Sequence, residues 1–201
     1  DDVSGSLLRT YESTSETRFP TVFPFHNKEL EGGLSRKELA MVVAPPGVGK
    51  SRYLVNQGAT SILNGNNVLY ISCEMSQDKI AGRFDSVLTY LKNSTLKQPQ
   101  VQLKLKSRLN EVKTKSNGRL VIKEFPTGLS NVNQIRALLV QLRLHKDFVP
   151  DLIIVDYLEL LRPNRIIDSE YLAQQRITEE LRGIAVEQNA LVWTATQTNR
   201  Q

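Results

Sequence analysis

Short apolar runs alternate along the chain with longer segments in which apolar residues recur every three or four positions. The short runs are typical of buried parallel strands, and the periodic segments are typical of amphipathic helices. The pattern predicts strands at Leu39–Ala44, Val68–Cys73, Leu120–Ile122, Leu152–Asp156 and Ala190–Thr196. Each apolar run is followed by polar residues or a turn, so these boundaries are well marked.

Helical patterns lie between the predicted strands. They comprise a helix at Ser51–Leu63, one capped by Ser76, one after Pro99, one capped by Ser130 or Asn131, and a long one from Ser169 to Asn189. A regular alternation of strands and helices favours an α/β fold with a mostly parallel sheet and helices on both of its faces.

The composition of the chain predicts its division into domains and argues against a secreted or membrane protein. Residues 1–20 are rich in Ser, Thr and Glu and are interpreted as a linker or arm, and residues 21–201 as one domain. The chain starts with Asp1 rather than Met, so we expect a piece of a longer protein. We find no secretory signal and no apolar run long enough for a membrane span, and the single cysteine, Cys73, excludes a disulfide framework. These features predict a reducing cytoplasm.

Positive charge is concentrated in one part of the chain. The net charge is +5, and nine basic residues between Lys92 and Glu124 face only two acidic ones. In the helix predicted after Pro99, Lys104, Arg108 and Lys115 lie opposite the apolar face. This pattern is compatible with a solvated helix face or with contact to nucleic acid.

A phosphate-binding loop is the strongest chemical signal. A predicted strand ends in a Pro/Gly turn, and a Lys-Ser pair opens the following helix, as in the pattern G-x-x-x-x-G-K-[ST], with Ala in place of the first Gly. The lysine supplies a point charge for the β- and γ-phosphates, and the serine hydroxyl suits Mg²⁺. The candidate nucleotide-binding residues are Ala44, Pro45, Pro46, Gly47, Val48, Gly49, Lys50 and Ser51.

Polar residues also follow three other predicted strands. Glu74, Asp156 and Gln197 each stand at or just after the end of an apolar run. Because ligands of parallel sheets bind outside the carboxyl ends of the strands, we expect these side chains to meet the Lys50–Ser51 loop at one edge.

Four stretches together resemble the RecA-like C-terminal ATPase core of DnaB-type replicative DNA helicases. They are the loop 45–51, the strand that ends in Glu74-Met75-Ser76, the Walker B stretch 152–160, and Thr196-Gln197-Thr198-Asn199-Arg200. Their order and rough spacing agree with the family from about Phe25 to Arg200, and Arg83 matches a family arginine. The resemblance implies a RecA-like P-loop NTPase fold.

The resemblance also implies a role for each residue. Lys50 and Ser51 hold the phosphates and Mg²⁺, and Asp156 binds Mg²⁺ through water. Glu74 polarises the attacking water, and Gln197 senses the γ-phosphate and relays its presence toward DNA. The implied activity is ATP hydrolysis coupled to translocation on single-stranded DNA, within a ring that is expected to be a hexamer. Primase or a loader is a possible partner of regions that the family carries elsewhere.

Departures from the family leave alternatives open. Glu159 replaces a usual Gln, and it rivals Glu74 as the water-activating carboxylate. The family's main DNA loop, further strands and arginine finger lie beyond Gln201, so we expect a truncated chain that binds ATP and hydrolyses it slowly. A RecA-like recombinase or clock-type ATPase, and a non-hydrolysing loader or adaptor, are the competing functions.

Three arginines are candidates for DNA contact. Arg162 and Arg165 follow the Walker B strand, and Arg200 follows Gln197. Loops at strand ends that hold a nucleotide are placed to couple its hydrolysis to a DNA backbone, although ordinary surface arginines would produce the same pattern.

Overall fold

A computed structural model describes residues 17–165 and 167–198. Its centre is a five-stranded sheet with the strand order β1-β5-β4-β2-β3, and every pairing in it is parallel. The strands are β1 (Leu39–Ala44), β2 (Val68–Ser72), β3 (Leu120–Glu124), β4 (Leu152–Asp156) and β5 (Leu191–Gln197). The predicted parallel α/β sheet is therefore confirmed, with strand boundaries displaced by at most two residues.

Helices connect consecutive strands, and within the described residues one short helix precedes β1. Two 3₁₀ turns are also described, at Asn93–Thr95 and Leu158–Leu160. The helices are α1 (Pro24–Glu29), α2 (Lys50–Leu63), α3 (Gln77–Thr89), α4 (Pro99–Lys115), α5 (Val132–Lys146) and α6 (Glu170–Glu187). Helix α1 was not predicted, because six residues are too few for a helical period to be recognised.

The two faces of the sheet are covered by different helices. Leu54 of α2 and Ile80 and Phe84 of α3 pack with Tyr70 and Ile154 on one face. On the other face, residues of α5 and α6 such as Ile135, Leu139, Leu181 and Ile184 pack with Ile71, Ile153 and Val155. Alternate residues of each strand therefore supply the two cores, as the two-residue period of a strand requires.

Phe19 extends the core toward the N-terminus. Its side chain is buried with those of α2, and its backbone forms an isolated antiparallel bridge with Leu34. Gly33 has a φ of +128°, and an added Cβ would lie 2.1 Å from the carbonyl oxygen of Phe19. Only glycine can occupy this position, because the backbone of residues 19 and 20 passes directly over it.

The side-chain caps predicted from the sequence are present at two of the described helices, and at a third the predicted residue makes no capping bond. Asn131 forms a capping box with Gln134, and the Ser169 hydroxyl accepts from the backbone N–H of Leu172. Ser76 occupies the N-cap of α3, but within the described structure its side chain accepts no capping bond. Oε2 of Glu124, from β3, accepts from the first N–H of α3 instead, at 3.0 Å.

Helix α4 departs in part from the predicted division into an apolar and a basic face. Leu105 is buried, and Lys104 and Lys115 are exposed as expected. Arg108, however, points toward α3 and donates to the carbonyl oxygen of Thr89 near the end of that helix. This arginine therefore satisfies an open carbonyl at a helix C-terminus and is not part of the solvated basic face.

Among the described residues, no helix is both long enough and apolar enough to cross a membrane.

Candidate functional site

The loop between β1 and α2 is shaped to receive an anion. Gly47 and Gly49 have φ values of +79° and +101°, and Gly49 is the N-cap of α2. These conformations turn backbone N–H groups into the concavity of the loop, where the helix N-terminus adds partial positive charge. The first turn of α2 runs Lys50-Ser51-Arg52, without an acidic residue that would oppose an anion.

Lys50 lies across this loop. Its Nζ donates to the carbonyl oxygens of Ala44 and Pro45, at 3.0 and 3.2 Å, and lies 5.9 Å from the centre of the Tyr157 ring. The residue as a whole is mostly buried, which holds its ammonium group within the cleft. The Lys50 ammonium is therefore positioned by the loop itself and by the segment that follows β4.

Asp156 connects the loop to the centre of the sheet. It ends β4 in full burial, where Oδ1 accepts from the Ser51 hydroxyl at 3.1 Å and Oδ2 accepts from the Tyr70 hydroxyl at 2.6 Å. Burial raises the pKa of Asp156, while the bonds from Tyr70 and Ser51 and the charges of Arg83 and Lys50 act in the opposite direction. The two hydroxyl donors and two nearby cations therefore offset only part of the desolvation of this carboxyl group, and its pKa stays above the ordinary value.

Glu74 stands in a turn that is organised by its neighbours. The Ser72 hydroxyl both donates to the Met75 carbonyl oxygen and accepts from the Met75 N–H, and the Cys73 N–H donates to the Asp156 carbonyl oxygen. Glu74 itself is exposed and faces the cleft. Cys73 is buried beside it, and burial followed by the charge of Asp156 raises the pKa of its thiol to about 12, so it remains protonated.

Gln197 reaches the same cleft from the end of β5. Its Nε2 donates to the Tyr157 hydroxyl at 3.0 Å, and its backbone N–H donates to Oε1 of Glu159 at 2.5 Å. Burial, and then the negative charges of Glu74, Glu159 and Asp156, raise the pKa of Tyr157. The phenol therefore stays neutral and serves as a hydrogen-bonding partner for Gln197.

These groups surround one open cleft of about 460 Å³ at the carboxyl ends of the strands. Its walls are contributed by the loop between β1 and α2, the turn after β2, helix α3, the segment after β4 and the end of β5. The lining residues are Pro46, Gly47, Val48, Gly49, Lys50, Ser51, Arg52, Glu74, Met75, Arg83, Tyr157 and Gln197. Ala44 and Pro45 contribute through the carbonyl oxygens that accept from Lys50, and Asp156 through its bond to Ser51.

The candidate DNA-binding arginines lie elsewhere. Arg162 and Arg165 are exposed, and the Arg162 N–H donates to the Ser130 carbonyl oxygen before α5, at 2.8 Å. In the described structure neither side chain lines the cleft. Arg200 lies outside the described residues.

Three residues of the site were not singled out from the sequence. Tyr70 holds Asp156, Tyr157 holds Gln197, and Arg52 adds a cation to the wall of the cleft. Tyr70 left a signal in the sequence, because a tyrosine inside an aliphatic buried strand needs a partner for its hydroxyl. The position of Arg52 directly after the Lys-Ser pair could also have been noted, since a cation in the first turn of a helix is unfavourable unless an anion is nearby.

The described residues contain no group of three or more His, Cys, Asp or Glu side chains that could by itself hold a metal ion. Mg²⁺ does not require such a group, because it keeps several waters and takes ligands from substrate phosphates. The Ser51 hydroxyl and the Asp156 carboxylate, 3.1 Å apart beneath the phosphate loop, fit an ion of that kind.

Taken together, the parallel sheet, the glycine-rich loop at a helix N-terminus and the Ser51–Asp156 pair define a P-loop nucleotide-binding domain. Residues 20–201 match the model of the DnaB-like helicase C terminal domain, and the chain belongs to that family. A DnaB-like replicative helicase of Enterobacteria phage T4 is 37% identical over an alignment of 180 residues, with 87% of this chain and 38% of the relative covered.

More distant relatives share the same part of the chain. A probable plasmid replicative DNA helicase of Chlamydia psittaci is 26% identical over 84% of this chain and 36% of its own length. A replicative DNA helicase DnaB of Synechocystis is 25% identical over 96% of this chain and 22% of its own length. The chain thus spans well under half the length of the curated relatives that it matches.

Solved structures agree on the fold. A DnaB-like replicative helicase, studied with its interactions with primase, superposes over the whole chain with a TM-score of 0.76 at 23% identity, covering 49% of that chain. A second solved structure, of an ATPase domain, superposes with a TM-score of 0.75 at 22% identity, covering 73% of that chain. The predicted RecA-like arrangement is confirmed by these likenesses.

Proposed function

We propose that this chain is the ATP-driven motor domain of a replicative DNA helicase, which couples ATP hydrolysis to movement along single-stranded DNA. The observation that carries the proposal is the convergence of Lys50, Ser51, Glu74 and Gln197 on one cleft from separate strand ends. The family match supports a helicase over a recombinase, a clock-type ATPase or a loader.

ATP is the proposed nucleotide, and Mg²⁺ the proposed metal. The backbone N–H groups of residues 47–51 and the Lys50 ammonium would bind the β- and γ-phosphates. Ser51 and Asp156 would hold Mg²⁺, Ser51 directly and Asp156 through water, and the ion would neutralise phosphate charge when bound. The Tyr70 hydroxyl keeps the buried Asp156 carboxylate oriented for this role.

Glu74 is the proposed group that orients and polarises the attacking water. It is exposed to the cleft, and the hydrogen bonds between the Ser72 hydroxyl and the Met75 backbone restrict the turn that carries it. Glu159 is a weaker candidate, because its Oε1 already accepts from the Thr196 hydroxyl and the Gln197 N–H, its Oε2 is buried, and it is not among the described residues that line the cleft. A carboxylate that polarises the attacking water needs an oxygen that water in the cleft can reach.

The remaining cleft residues stabilise charge and report the state of the nucleotide. Arg83 lines the cleft from the second turn of α3, and its charge acts on Asp156. Gln197 is the proposed γ-phosphate sensor, since its side chain bridges to Tyr157 beside the Lys50 ammonium.

DNA and neighbouring subunits are the proposed partners. Single-stranded DNA would contact loops at the same edge of the sheet, with Arg162, Arg165 and Arg200 as the proposed phosphate contacts. The active assembly would be a ring, with six subunits as the proposed number, in which an arginine from a neighbour completes the catalytic site. Primase or a loader is a further proposed partner, and the cytoplasm of a bacterial cell or phage host is the proposed compartment.

Turnover by the full-length protein tests the catalytic assignment. Glu74→Gln should keep ATP binding and lose turnover by about a hundredfold or more, because the amide cannot take up the proton of water. The measurement is steady-state phosphate release with and without single-stranded DNA, next to calorimetric binding of ATP with Mg²⁺. Glu111→Gln, on the exposed side of α4, is the matched control. Loss of turnover in Glu159→Gln with none in Glu74→Gln would make the assignment wrong.

A further inference from the structure

At its carboxyl end, strand β5 extends beyond its pairing with β4, although it stays paired with β1 to its last residue. Its ladder with β1 continues to the pair Ala44–Gln197, whereas its ladder with β4 ends at Val155–Thr194. Residues 195–197 of β5 are therefore paired on the β1 side alone within the sheet. The last of these residues, Gln197, lines the cleft.

The Gln197 N–H is a backbone donor that points toward β4 and has no acceptor in that strand. In β5 the Leu191 N–H donates to the Asp151 carbonyl oxygen on the β4 side, and the next N–H, that of Val192, donates to Glu38 on the β1 side. Backbone groups alternate between sides along a strand, so the Gln197 N–H, six residues after Leu191, points toward β4. No strand carbonyl of β4 stands there, because β4 has ended at Asp156.

The Glu159 carboxylate occupies that position. Glu159 lies in the 3₁₀ turn Leu158–Leu160 just after β4, and its Oε1 accepts from the Gln197 N–H at 2.5 Å and also from the Thr196 hydroxyl. Its other oxygen, Oε2, is buried and has no hydrogen-bond partner among the described residues. A carboxylate makes stronger hydrogen bonds to N–H and O–H donors than a neutral carbonyl does.

Gln197 is connected to the cleft on its other side. Its Nε2 donates to the Tyr157 hydroxyl, and both side chains line the cleft beside Lys50. Glu159 itself is not among the described residues that line the cleft. Its influence on a bound nucleotide would therefore pass through Gln197.

We propose that Glu159 is a positioning residue whose carboxylate continues the edge of β4 and holds the end of β5, so that Gln197 faces the nucleotide. The proposal rests on the proposed ATP site, and it assigns Glu159 a task other than activation of water. A glutamate suits position 159 because one of its carboxylate oxygens accepts from both the Gln197 N–H and the Thr196 hydroxyl.

Three variants separate this role from a catalytic or merely structural one. Glu159→Ala removes the acceptor, Glu159→Gln keeps one acceptor oxygen without the charge, and Glu111→Ala is a matched change on an exposed helix face. The first readout is hydrogen exchange of the Gln197 amide by NMR. The second is the ratio of the ATP and ADP dissociation constants in the presence of Mg²⁺, which reports sensing of the γ-phosphate.

In Glu159→Ala we expect the Gln197 amide to exchange on the order of tenfold faster or more, because it loses a bond to a charged group. The preference for ATP over ADP should fall with it, while ADP affinity stays near that of the wild type. Glu159→Gln should restore most of the amide protection and most of the nucleotide preference, and Glu111→Ala should match the wild type.

Two results would overturn the proposal. One is a Gln197 amide as well protected in Glu159→Ala as in the wild type. The other is a Glu159→Gln protein that keeps the amide protected but loses turnover, because that result makes Glu159 the catalytic carboxylate. If Glu159→Ala does not fold, the turnover and the amide protection of Glu159→Gln, compared with the wild type, still separate a positioning role from a catalytic one. If the proposed function is wrong, the wild-type protein will bind no ATP. Hydrogen exchange of the Gln197 amide can still be measured without nucleotide, and it would still test whether Glu159 holds the end of β5.

Discussion

The contact between Tyr70 and Asp156 gives the sharpest test of how the site is held together. Both residues are fully buried, and the Tyr70 hydroxyl lies 2.6 Å from Oδ2 of Asp156, within the range of a charge-assisted O–H···O⁻ bond. Tyr70→Phe removes this hydroxyl and keeps the ring, which packs edge-to-face against Phe84 with the ring centres 5.5 Å apart. The change therefore isolates the hydrogen bond.

The magnitude follows from the burial of both partners. A hydrogen bond to a charged group is worth about 1.5–3 kcal/mol, and the upper part of that range applies here because water cannot replace the donor. We expect Tyr70→Phe to lower the free energy of unfolding by about 2–3 kcal/mol at pH 7.5. Once Asp156 is protonated the bond is between neutral groups, and the loss should fall to about 1 kcal/mol.

The pH dependence has a definite sign. Burial raises the pKa of Asp156 in the folded protein, so folded chains bind this proton more tightly than unfolded ones. Stability contributed by this group is then present at low pH and is lost as pH rises through the folded pKa. The Tyr70 hydroxyl lowers that pKa, so Tyr70→Phe should raise it and make the loss of stability at pH 7.5 larger.

Urea denaturation at a series of pH values from 7.5 downward, as far as the protein stays folded, measures both effects. Tyr171→Phe is the matched control, because Tyr171 is 75% exposed on α6 and its hydroxyl should contribute little. A cost of Tyr70→Phe below about 0.5 kcal/mol at pH 7.5, or a cost that does not decrease anywhere along the series, would refute this account of the contact.

The remaining predictions concern binding. Lys50→Ala should remove most of the calorimetric affinity for ATP with Mg²⁺, and equal affinity in the two proteins would exclude the loop as the site. Replacing Arg162, Arg165 and Arg200 together by Ala should weaken binding of single-stranded DNA and reduce its dependence on salt, because each phosphate contact releases counterions. An unchanged affinity with an unchanged salt slope would show that these arginines are not the contacts.

Much of the site could be anticipated from the chain alone, because its signals are local. The run that ends at Ala44, the two glycines and the Lys-Ser pair lie within a dozen consecutive residues, and each has one physical reason to be there. The strand that ends at Asp156 is similarly marked by its unbroken apolar run. Such features can be read from the sequence because neighbours in sequence remain neighbours in the fold.

Contacts between distant segments could not be anticipated. The Glu124 cap of α3 joins residues 47 positions apart, and the Arg108 bond to Thr89 depends on how α4 packs against α3. Ser76 had the right residue type for a cap, but the carboxylate of another strand took that role. Residue type limits which partners are possible, and only packing decides which partner is reached.

The amino-acid sequence by itself determined the strands, the main helices, the phosphate loop and the polar residues at the strand ends, since hydrophobic period and turn chemistry act over a few residues. Tertiary structure alone decided that β5 lies between β1 and β4, which brings Gln197 beside Lys50 and Tyr157. It also decided that β4 stops short of the end of β5, so that Glu159 accepts the hydrogen bond that a strand would otherwise take. Strand order and the relative lengths of neighbouring strands depend on the packing of the whole sheet between its two helical layers, and no local stretch of sequence contains that information.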